Sequence, residues 1–160
     1  MSTPESKRSL TATELAAMSG LEYLQSMIDG KHPFPPMSGT LSFHLTEVGP
    51  GRATIAGEPK PEYYNPGGTI HGAWAAALLD SCMGSSIHTT LPPRTRFTTV
   101  EFKINMLRPI SIETGTVYGY GRLVKPGQRV AFADGELKDA EGRLLATGTT
   151  TCLIFPPEDR

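Results

Sequence analysis

The stretch from Gly72 to Thr89 or Thr90 constrains the fold of this chain more than any other. It is built mainly from Ala, Leu, Ser and Gly, contains no Lys or Arg, and holds one acid, Asp80. A helix that is apolar nearly all round is typical of a buried element. At 1.5 Å per residue it would be roughly 28 Å long, which is the width of a small domain. The rest of the chain is therefore expected to wrap around this helix.

Alternating apolar and polar residues, separated by turn signals, predict an antiparallel sheet around the helix. Before the helix, two strands flank Gly49-Pro50-Gly51 and should form a hairpin. After it, the alternation through Val100, Phe102, Ile104 and Met106 indicates a half-buried strand, and turn residues delimit three more. The predicted strands cover residues 40–48, 52–57, 98–106, 114–124, 129–137 and 144–155.

The N-terminal part predicts one amphipathic helix outside the sheet. Thr11 and Glu14 have capping-box spacing, apolar residues recur at helical spacing up to Ile28, and Gly30 follows as a C-terminal glycine. A chain of 160 residues fits a single domain. The prediction is thus one domain over residues 1–160, with a core from about residue 38 to 156 and an N-terminal helix over about residues 11–29. The fold class is α+β, with a sheet of five or six strands around one long central helix.

Charge and cysteine content exclude several classes of protein. The 15 basic and 16 acidic residues give a net charge of −1 without a charge run, which argues against nucleic acid or a membrane surface as partner. Residues 1–9 lack the apolar core of a signal peptide, and no apolar run reaches bilayer length. Cys82 and Cys152 show neither CxxC nor zinc-ligand spacing, so buried free thiols in a cytoplasmic protein are expected.

Gly72 and Asp80 are the candidates for chemistry at an acyl carbonyl. Such chemistry needs a donor for the oxygen that becomes negative and a base or nucleophile near the carbonyl carbon. The first N–H of a helix has no partner within the helix, and Gly72 leaves it unshielded by a Cβ. Asp80 is a lone carboxylate on a helix whose nearby residues are small. Nine residues at about 100° each place His71 half a turn from Asp80, so these two should not form a dyad within one chain.

The residues alone leave a structural alternative open. Asp80 fits equally well as a buried acid satisfied by Ser or Thr hydroxyls, and His71 is better interpreted as an orienting residue than as a catalyst. Arg108, before Pro109, has the pattern of a solvated strand end. No GxSxG, Walker or dinucleotide motif is present.

The spacing of Asn65, His71-Gly72 and Asp80 resembles that of hotdog-fold acyl-CoA thioesterases of the phenylacetate-pathway (PaaI-like) branch. The segment from Thr98 to Asn105, and the closing residues 142–148, are similar to that branch as well. The resemblance spans about residues 41–155.

The resemblance implies a role for each matching position. Gly72 would supply the oxyanion N–H, and Asp80 would act as general base or nucleophile. Asn65 would lie near the attacking water or the thioester, His71 would shape the helix start, and Thr99 would help to hold the water.

The resemblance also implies how the site is assembled. It would form between two chains of a homotetramer built from two dimers, without a metal or organic cofactor. Ala73 replaces a second glycine of many relatives and would narrow the acyl pocket. Arg108, Lys125 and Arg129 would offer cations to the CoA phosphates.

Two other functions compete with hydrolysis. The segment His32 to Gly39 superficially resembles a dehydratase motif, but strand rather than an acid-bearing helix follows it, which argues against a dehydratase. A non-catalytic acyl-CoA binding or sensing module remains the alternative, although a binder has no need of an unpaired buried acid.

Overall fold

The computed structural model of this protein describes residues 10–157. Residues 1–9, which the sequence indicates not to be a signal peptide, and residues 158–160 lie outside the described part. None of the helices described between residues 10 and 157 has the length and apolarity of a membrane-spanning segment.

Six antiparallel strands form a single sheet, which confirms the predicted α+β fold. The strands are β1 (Phe43–Gly49), β2 (Arg52–Gly57), β3 (Arg96–Met106), β4 (Val117–Lys125), β5 (Val130–Lys138) and β6 (Leu144–Phe155). Their order across the sheet is β1-β2-β4-β5-β6-β3. The predicted hairpins β1–β2, β4–β5 and β5–β6 are therefore neighbours, whereas β3 lies at the far edge beside β6.

The long central helix α4 (Gly72–His88) lies across the sheet and ends one or two residues before the predicted end. Leu78, Leu79 and Met83 are fully buried beneath it. Burying each such side chain contributes about 1.5–3 kcal/mol, so this face anchors the fold.

Glycines bring the helix backbone down onto the sheet. Gly121 pairs with Gly135, and Gly135 with Gly148, so three glycines form a row across β4, β5 and β6. A Cβ added at Gly121 would lie 2.0 Å from the carbonyl oxygen of Cys82. At Gly121 the helix backbone lies directly on the strand, whereas Gly135 and Gly148 leave room for the Met83 side chain, so this row lets the helix lie close to the sheet.

The expectation that α4 is buried nearly all round holds for its sheet side only. Ala73 is exposed, and Ala76, Ala77 and Asp80 are partly exposed. The sheet and the N-terminal elements do not cover this stripe of small residues in a single chain.

The N-terminal region contains two helices, so the prediction of one helix is wrong. They are α1 (Ala12–Ala17) and α2 (Gly20–Ile28). The Thr11–Glu14 capping box is observed, but a second box at Ser19 and Glu22 starts a new helix after an extended Met18. Each box satisfies free N–H groups of a helix start, which makes two short helices preferable to one long one. Gly30 follows α2 in the left-handed conformation with φ of 70°, as predicted.

Two predicted strand starts are also corrected. Pro36 begins a short helix α3 (Pro36–Thr40), since proline suits the first helical position, and β1 starts at Phe43 instead of residue 40. A 3₁₀ turn over Ile112–Thr114 delays β4 from residue 114 to Val117.

Strand β3 is an edge strand with exposed apolar residues. Within residues 10–157 it pairs only with β6, and a bulge interrupts this pairing between Thr99 and Glu101. Val100, Phe102 and Met106 remain 51%, 41% and 45% exposed. The strand predicted to be half-buried is therefore mostly exposed in one chain, because β3 lies at the margin of the helix.

Candidate active site

Asp80 and Thr99 meet on the inner side of the sheet edge. Asp80 lies in the middle of α4 and Thr99 on β3, and the Thr99 hydroxyl donates a hydrogen bond of 2.9 Å to Asp80 Oδ1. The second carboxylate oxygen, Oδ2, has no hydrogen-bond partner among residues 10–157. The acid is therefore oriented by one bond and keeps one oxygen for chemistry.

A cavity of about 310 Å³ opens beside the carboxylate. Asp80 and Thr99 form part of its wall. The remaining wall is largely apolar and comes from α2, β1, β3 and the segment before α3, including Leu24, Met27, Phe34, Phe43, Leu45 and Phe97. An apolar cleft with a few convergent polar groups is the usual form of a small-molecule site.

Gly72 and Asn65 line a different cavity, of about 340 Å³. It lies between the start of α4 and the end of β3, and Met106 and Arg108 contribute to it. Gly72 and Asp80 are eight residues apart, hence roughly 12 Å apart along the helix axis. One chain thus holds the two groups of candidate residues in separate clefts.

His71 caps the start of α4 and leaves one N–H free. Its Nδ1 accepts a hydrogen bond of 3.2 Å from the N–H of Ala73, while Trp74 N–H donates to the His71 carbonyl. Gly72 N–H has no partner among the described residues. The helix dipole favours negative charge at this position, so the Gly72 N–H is suited to a developing oxyanion.

The Asn65 side chain stabilises the loop before α4. Its Oδ1 accepts hydrogen bonds from the N–H groups of Gly67, at 2.8 Å, and Thr69, at 3.3 Å. Its Nδ2 donates to the Thr69 hydroxyl at 2.9 Å. The amide oxygen is therefore occupied, and what Asn65 can offer to water or substrate is its second N–H.

The three cations suggested for CoA phosphates do not form one patch within a chain. Arg108 donates to the Leu144 carbonyl at 2.8 Å, at the start of β6, and lines the Gly72 cavity. Lys125 and Arg129 lie at the β4–β5 turn, at the other end of the sheet. The strand length between these ends is roughly 25 Å.

Ala73 was expected to narrow the acyl pocket. It is exposed and lines neither the cavity beside Asp80 nor the one beside Gly72. Within one chain it therefore has no contact with the space that an acyl group would occupy.

The two thiols near Asp80 are protonated. Burial raises the pKa of Cys82 to about 12 and raises the pKa of Cys152 as well. Cys152 Sγ lies 3.8 Å from the Thr99 hydroxyl. Neither residue is a thiolate nucleophile at neutral pH.

Comparison with known proteins decides the family. The model of the thioesterase superfamily matches residues 67–146, which is half of the chain and includes Gly72, Asp80 and Thr99. The chain belongs to the thioesterase superfamily. Within residues 10–157, no cluster of three or more His, Cys, Asp or Glu could hold a metal ion.

Solved structures of this superfamily confirm the PaaI-like resemblance. A candidate thioesterase related to phenylacetic acid degradation from Ralstonia eutropha is 29% identical, with a TM-score of 0.75 over 82% of this chain and 98% of that one. The phenylacetic acid degradation protein PaaI of Thermus thermophilus, in a variant with one Asn-to-Asp change, is 27% identical, with a TM-score of 0.67 over 74% and 98%. A candidate esterase of Saccharolobus solfataricus is 31% identical over 60% of this chain and 66% of its own length, just under two thirds.

Sequence reasoning missed part of the wall of the cavity beside Asp80. Ser81, Ser85 and His88 on α4, and Tyr23 on α2, all line the cleft beside Asp80. The spacing of the three α4 residues was a signal, because residues four and three apart lie on one helix face. It went unnoticed because the helix was interpreted as apolar on every side.

Proposed function

We propose that this protein hydrolyses acyl-CoA thioesters to the free acid and CoA in the cytosol. The observation that carries the proposal is the Asp80 carboxylate, held by Thr99 through one oxygen and facing an apolar cavity with the other. The buried free thiols fit a reducing compartment.

Asp80 acts on the thioester as a general base or as a nucleophile. As a base, its free oxygen takes a proton from water, and the hydroxide attacks the carbonyl carbon while the CoA thiolate leaves. As a nucleophile, it attacks the carbon itself and the CoA thiolate leaves, which forms an anhydride that water then opens to the free acid and the Asp80 carboxylate. The Thr99 hydroxyl donates its hydrogen bond to Asp80, and its oxygen can accept a hydrogen bond from the attacking water. A single turnover in oxygen-18 water separates the routes, because only the anhydride route puts label into Asp80.

Gly72 N–H stabilises the oxyanion, and it comes from a partner chain. Within one chain it lies roughly 12 Å along the helix from Asp80, too far to act on the same carbonyl. His71 and Asn65 hold the surrounding loop, and Asn65 has one N–H left for water or substrate.

The edge strand β3 supports a dimer that brings the two groups together. Asp80 contacts Thr99, and Gly72 lies against Met106, at the other end of β3. If two β3 strands pair antiparallel about a two-fold axis between Phe102 and Lys103, Thr99 of one chain lies opposite Met106 of the other. Asp80 then faces the other chain's Gly72. The free edge and the exposed apolar side chains of β3 favour such pairing.

Two such dimers associate into a tetramer. Exposed apolar residues on the outer face of the sheet, Tyr120, Phe132 and Phe155, support this second interface. Arg108 lines the Gly72 cavity and binds the phosphates of a CoA in that cavity. Lys125 and Arg129 lie at the other end of the sheet, so they would contact only a CoA whose acyl group lies in the site of another chain. Sedimentation analysis of the purified protein measures the assembly directly.

Release of free thiol from a panel of acyl-CoAs tests the activity. The Asp80→Asn variant should lose about 10²- to 10⁴-fold in kcat, the usual contribution of a general base. Asp134→Asn is the matched control, since Asp134 forms only an exposed ion pair with Arg122. If the wild type binds acyl-CoAs but releases thiol from none of them, the protein is a binding module and the hydrolase proposal fails.

A proline at residue 72 tests the oxyanion donor. Gly72→Pro removes this N–H at the first helical position, where proline is well tolerated, and His71 has the extended conformation that precedes proline. A loss of about 10²- to 10³-fold in kcat is expected, whereas Gly72→Ala, which keeps the N–H, should lose far less.

Mixing the two inactive variants tests whether the site is shared between chains. A dimer of one Asp80→Asn chain and one Gly72→Pro chain contains one intact site, so random mixing should restore about a quarter of wild-type activity. No recovery after subunit exchange, shown by tagged chains to have occurred, would place both groups in one chain and contradict the shared site.

A further inference from the structure

Strand β3 presents side chains of both odd and even positions to the central helix α4. Phe97 and Thr99 line the cavity beside Asp80, and Met106 lines the cavity beside Gly72. A Cβ added at Gly72 would lie 3.3 Å from Met106 Cε, so this side chain contacts the helix. In a regular strand, successive side chains point to opposite faces, and odd and even positions cannot share one face. The alternation of β3 must therefore shift by one residue between Thr99 and Met106.

The bulge in β3 produces this shift. Thr99 pairs with Cys152 and Glu101 pairs with Thr151, so Val100 has no partner on β6. An extra residue of this kind turns all residues on one side of it to the other face of the sheet. If the regular pairing continued past Glu101, Val100 would lie opposite Cys152 and Thr99 would point to the outer face. The contact between Thr99 and the carboxylate of α4 thus depends on the bulge.

A buried threonine of β6 holds the bulge from the helix side of the sheet. The Thr150 hydroxyl donates a hydrogen bond of 3.0 Å to the backbone carbonyl of Glu101, and Thr150 is only 2% exposed. No other side chain among residues 10–157 bonds to the backbone of β3. A bulge interrupts the ladder of backbone hydrogen bonds, and the threonine hydroxyl supplies a partner at that point.

The threonines on either side of Thr150 do not take part in this contact. Thr151 donates to the carboxylate of Glu101 at 3.2 Å in an exposed bond between side chains, and Thr149 is exposed. Exposed bonds of this kind compete with water and contribute little to the position of a strand. Only Thr150 bonds to the main chain at the bulge.

We infer that Thr150 is a positioning residue of the site, which holds the β3 bulge and so keeps Thr99 turned toward Asp80. Thr150 does not line the cavity beside Asp80, so it acts through Thr99 and not on the substrate. Displacing a group of a catalytic site by about 1 Å can cost about 100-fold in rate, so a contact at this distance from the chemistry can matter. The inference rests on the proposed function and deepens it.

Replacing Thr150 by valine removes the hydroxyl and keeps the shape of the side chain. By thiol release, kcat of Thr150→Val should fall by about tenfold, the effect of one hydrogen bond whose partner is left unpaired, with little change in KM. Thr150→Ser keeps the hydroxyl and should stay within about threefold of the wild type. Thr149→Val is the matched control on the exposed face of the same strand and should keep the wild-type kcat. Urea unfolding shows whether each variant is folded.

A double-mutant cycle separates positioning from a general structural role. In a chain that already carries Thr99→Val, the bond that Thr150 positions is absent. Adding Thr150→Val to that chain should therefore change kcat by less than about twofold. A residue that only stabilises the fold would reduce kcat by the same factor in both backgrounds.

Two results overturn the inference while hydrolysis itself stands. One is an unchanged kcat in Thr150→Val, and the other is an equal loss with and without the Thr99 hydroxyl. If the valine variant does not fold, Thr150→Ala and Thr150→Ser repeat the comparison with the same expected results. If the wild type hydrolyses no thioester in the panel, the proposed function fails and the inference fails with it.

Discussion

Replacing Thr99 by valine isolates the hydrogen bond that orients Asp80. Valine has the shape of threonine without the hydroxyl and suits a β-strand, so the strand itself should be unaffected. The lost bond is 2.9 Å long and ends on a carboxylate. Hydrogen bonds to charged groups contribute about 1.5–3 kcal/mol, which corresponds to about 10- to 150-fold in rate.

The expected result is a fall in kcat of that size with a small change in KM, measured by thiol release. Thr99→Ser keeps the hydroxyl and should stay within about threefold of the wild type. Urea unfolding of both variants shows whether the fold is intact. If valine and serine variants turn over equally fast, Thr99 has a structural role only, and the assignment of Asp80 as a carboxylate positioned by Thr99 is refuted.

Three further predictions concern stability and reactivity. Gly121→Ala should lower the free energy of unfolding by more than about 3 kcal/mol in urea, since the new Cβ meets the helix backbone, whereas Gly39→Ala, with open space around it, should be neutral or slightly stabilising. Burial by itself raises the pKa of Asp139, but the hydrogen bonds and charge of Arg143 outweigh it and hold the pKa below the ordinary value of 3.8. The ionised Asp139 therefore stabilises the fold fully above that value and loses its contribution as the pH falls below it. Between about pH 7 and pH 2, the free energy of unfolding of Asp139→Asn should change less with pH than that of the wild type. An equal change in both proteins would contradict the assignment. Cys82 and Cys152 should not react with a thiol reagent at about pH 8 until the protein unfolds, and fast labelling of the native protein would show that they are accessible.

The central helix could be predicted from the sequence to within two residues because its composition is unlike the rest of the chain. The N-terminal helices were harder. Ser19 and Glu22 repeat the spacing of Thr11 and Glu14, but the helical periodicity of the apolar residues continues through both segments and hides the break. Local capping energy decided where the helix ends, and periodicity does not report it.

The arrangement of the site could be predicted only in part. The distance between Asp80 and His71 followed from helix geometry, whereas the contact with Thr99 depends on how β3 lies against α4, which periodicity does not reveal. Strand order is equally hidden. Arg108 and Arg129 were both suggested as ligands of the CoA phosphates, yet Arg108 follows the end of β3 and Arg129 precedes β5, at the opposite end of the sheet. The exposed apolar side chains of β3 do not belong to the core of a single chain. We expect its alternating pattern to serve a contact between chains instead.

The row of glycines beneath α4 limits how far the sheet side of this protein can be redesigned. A Cβ at Gly121 would meet the backbone of Cys82 and displace α4 together with the acid, rather than reshape the cleft. The opposite wall includes residues of α2 and of the segment up to α3, from Tyr23 to Ser38, which lie outside the sheet. Libraries that seek to change what the cleft binds should therefore vary its lining residues between Tyr23 and Ser38 and leave the strands under the helix untouched.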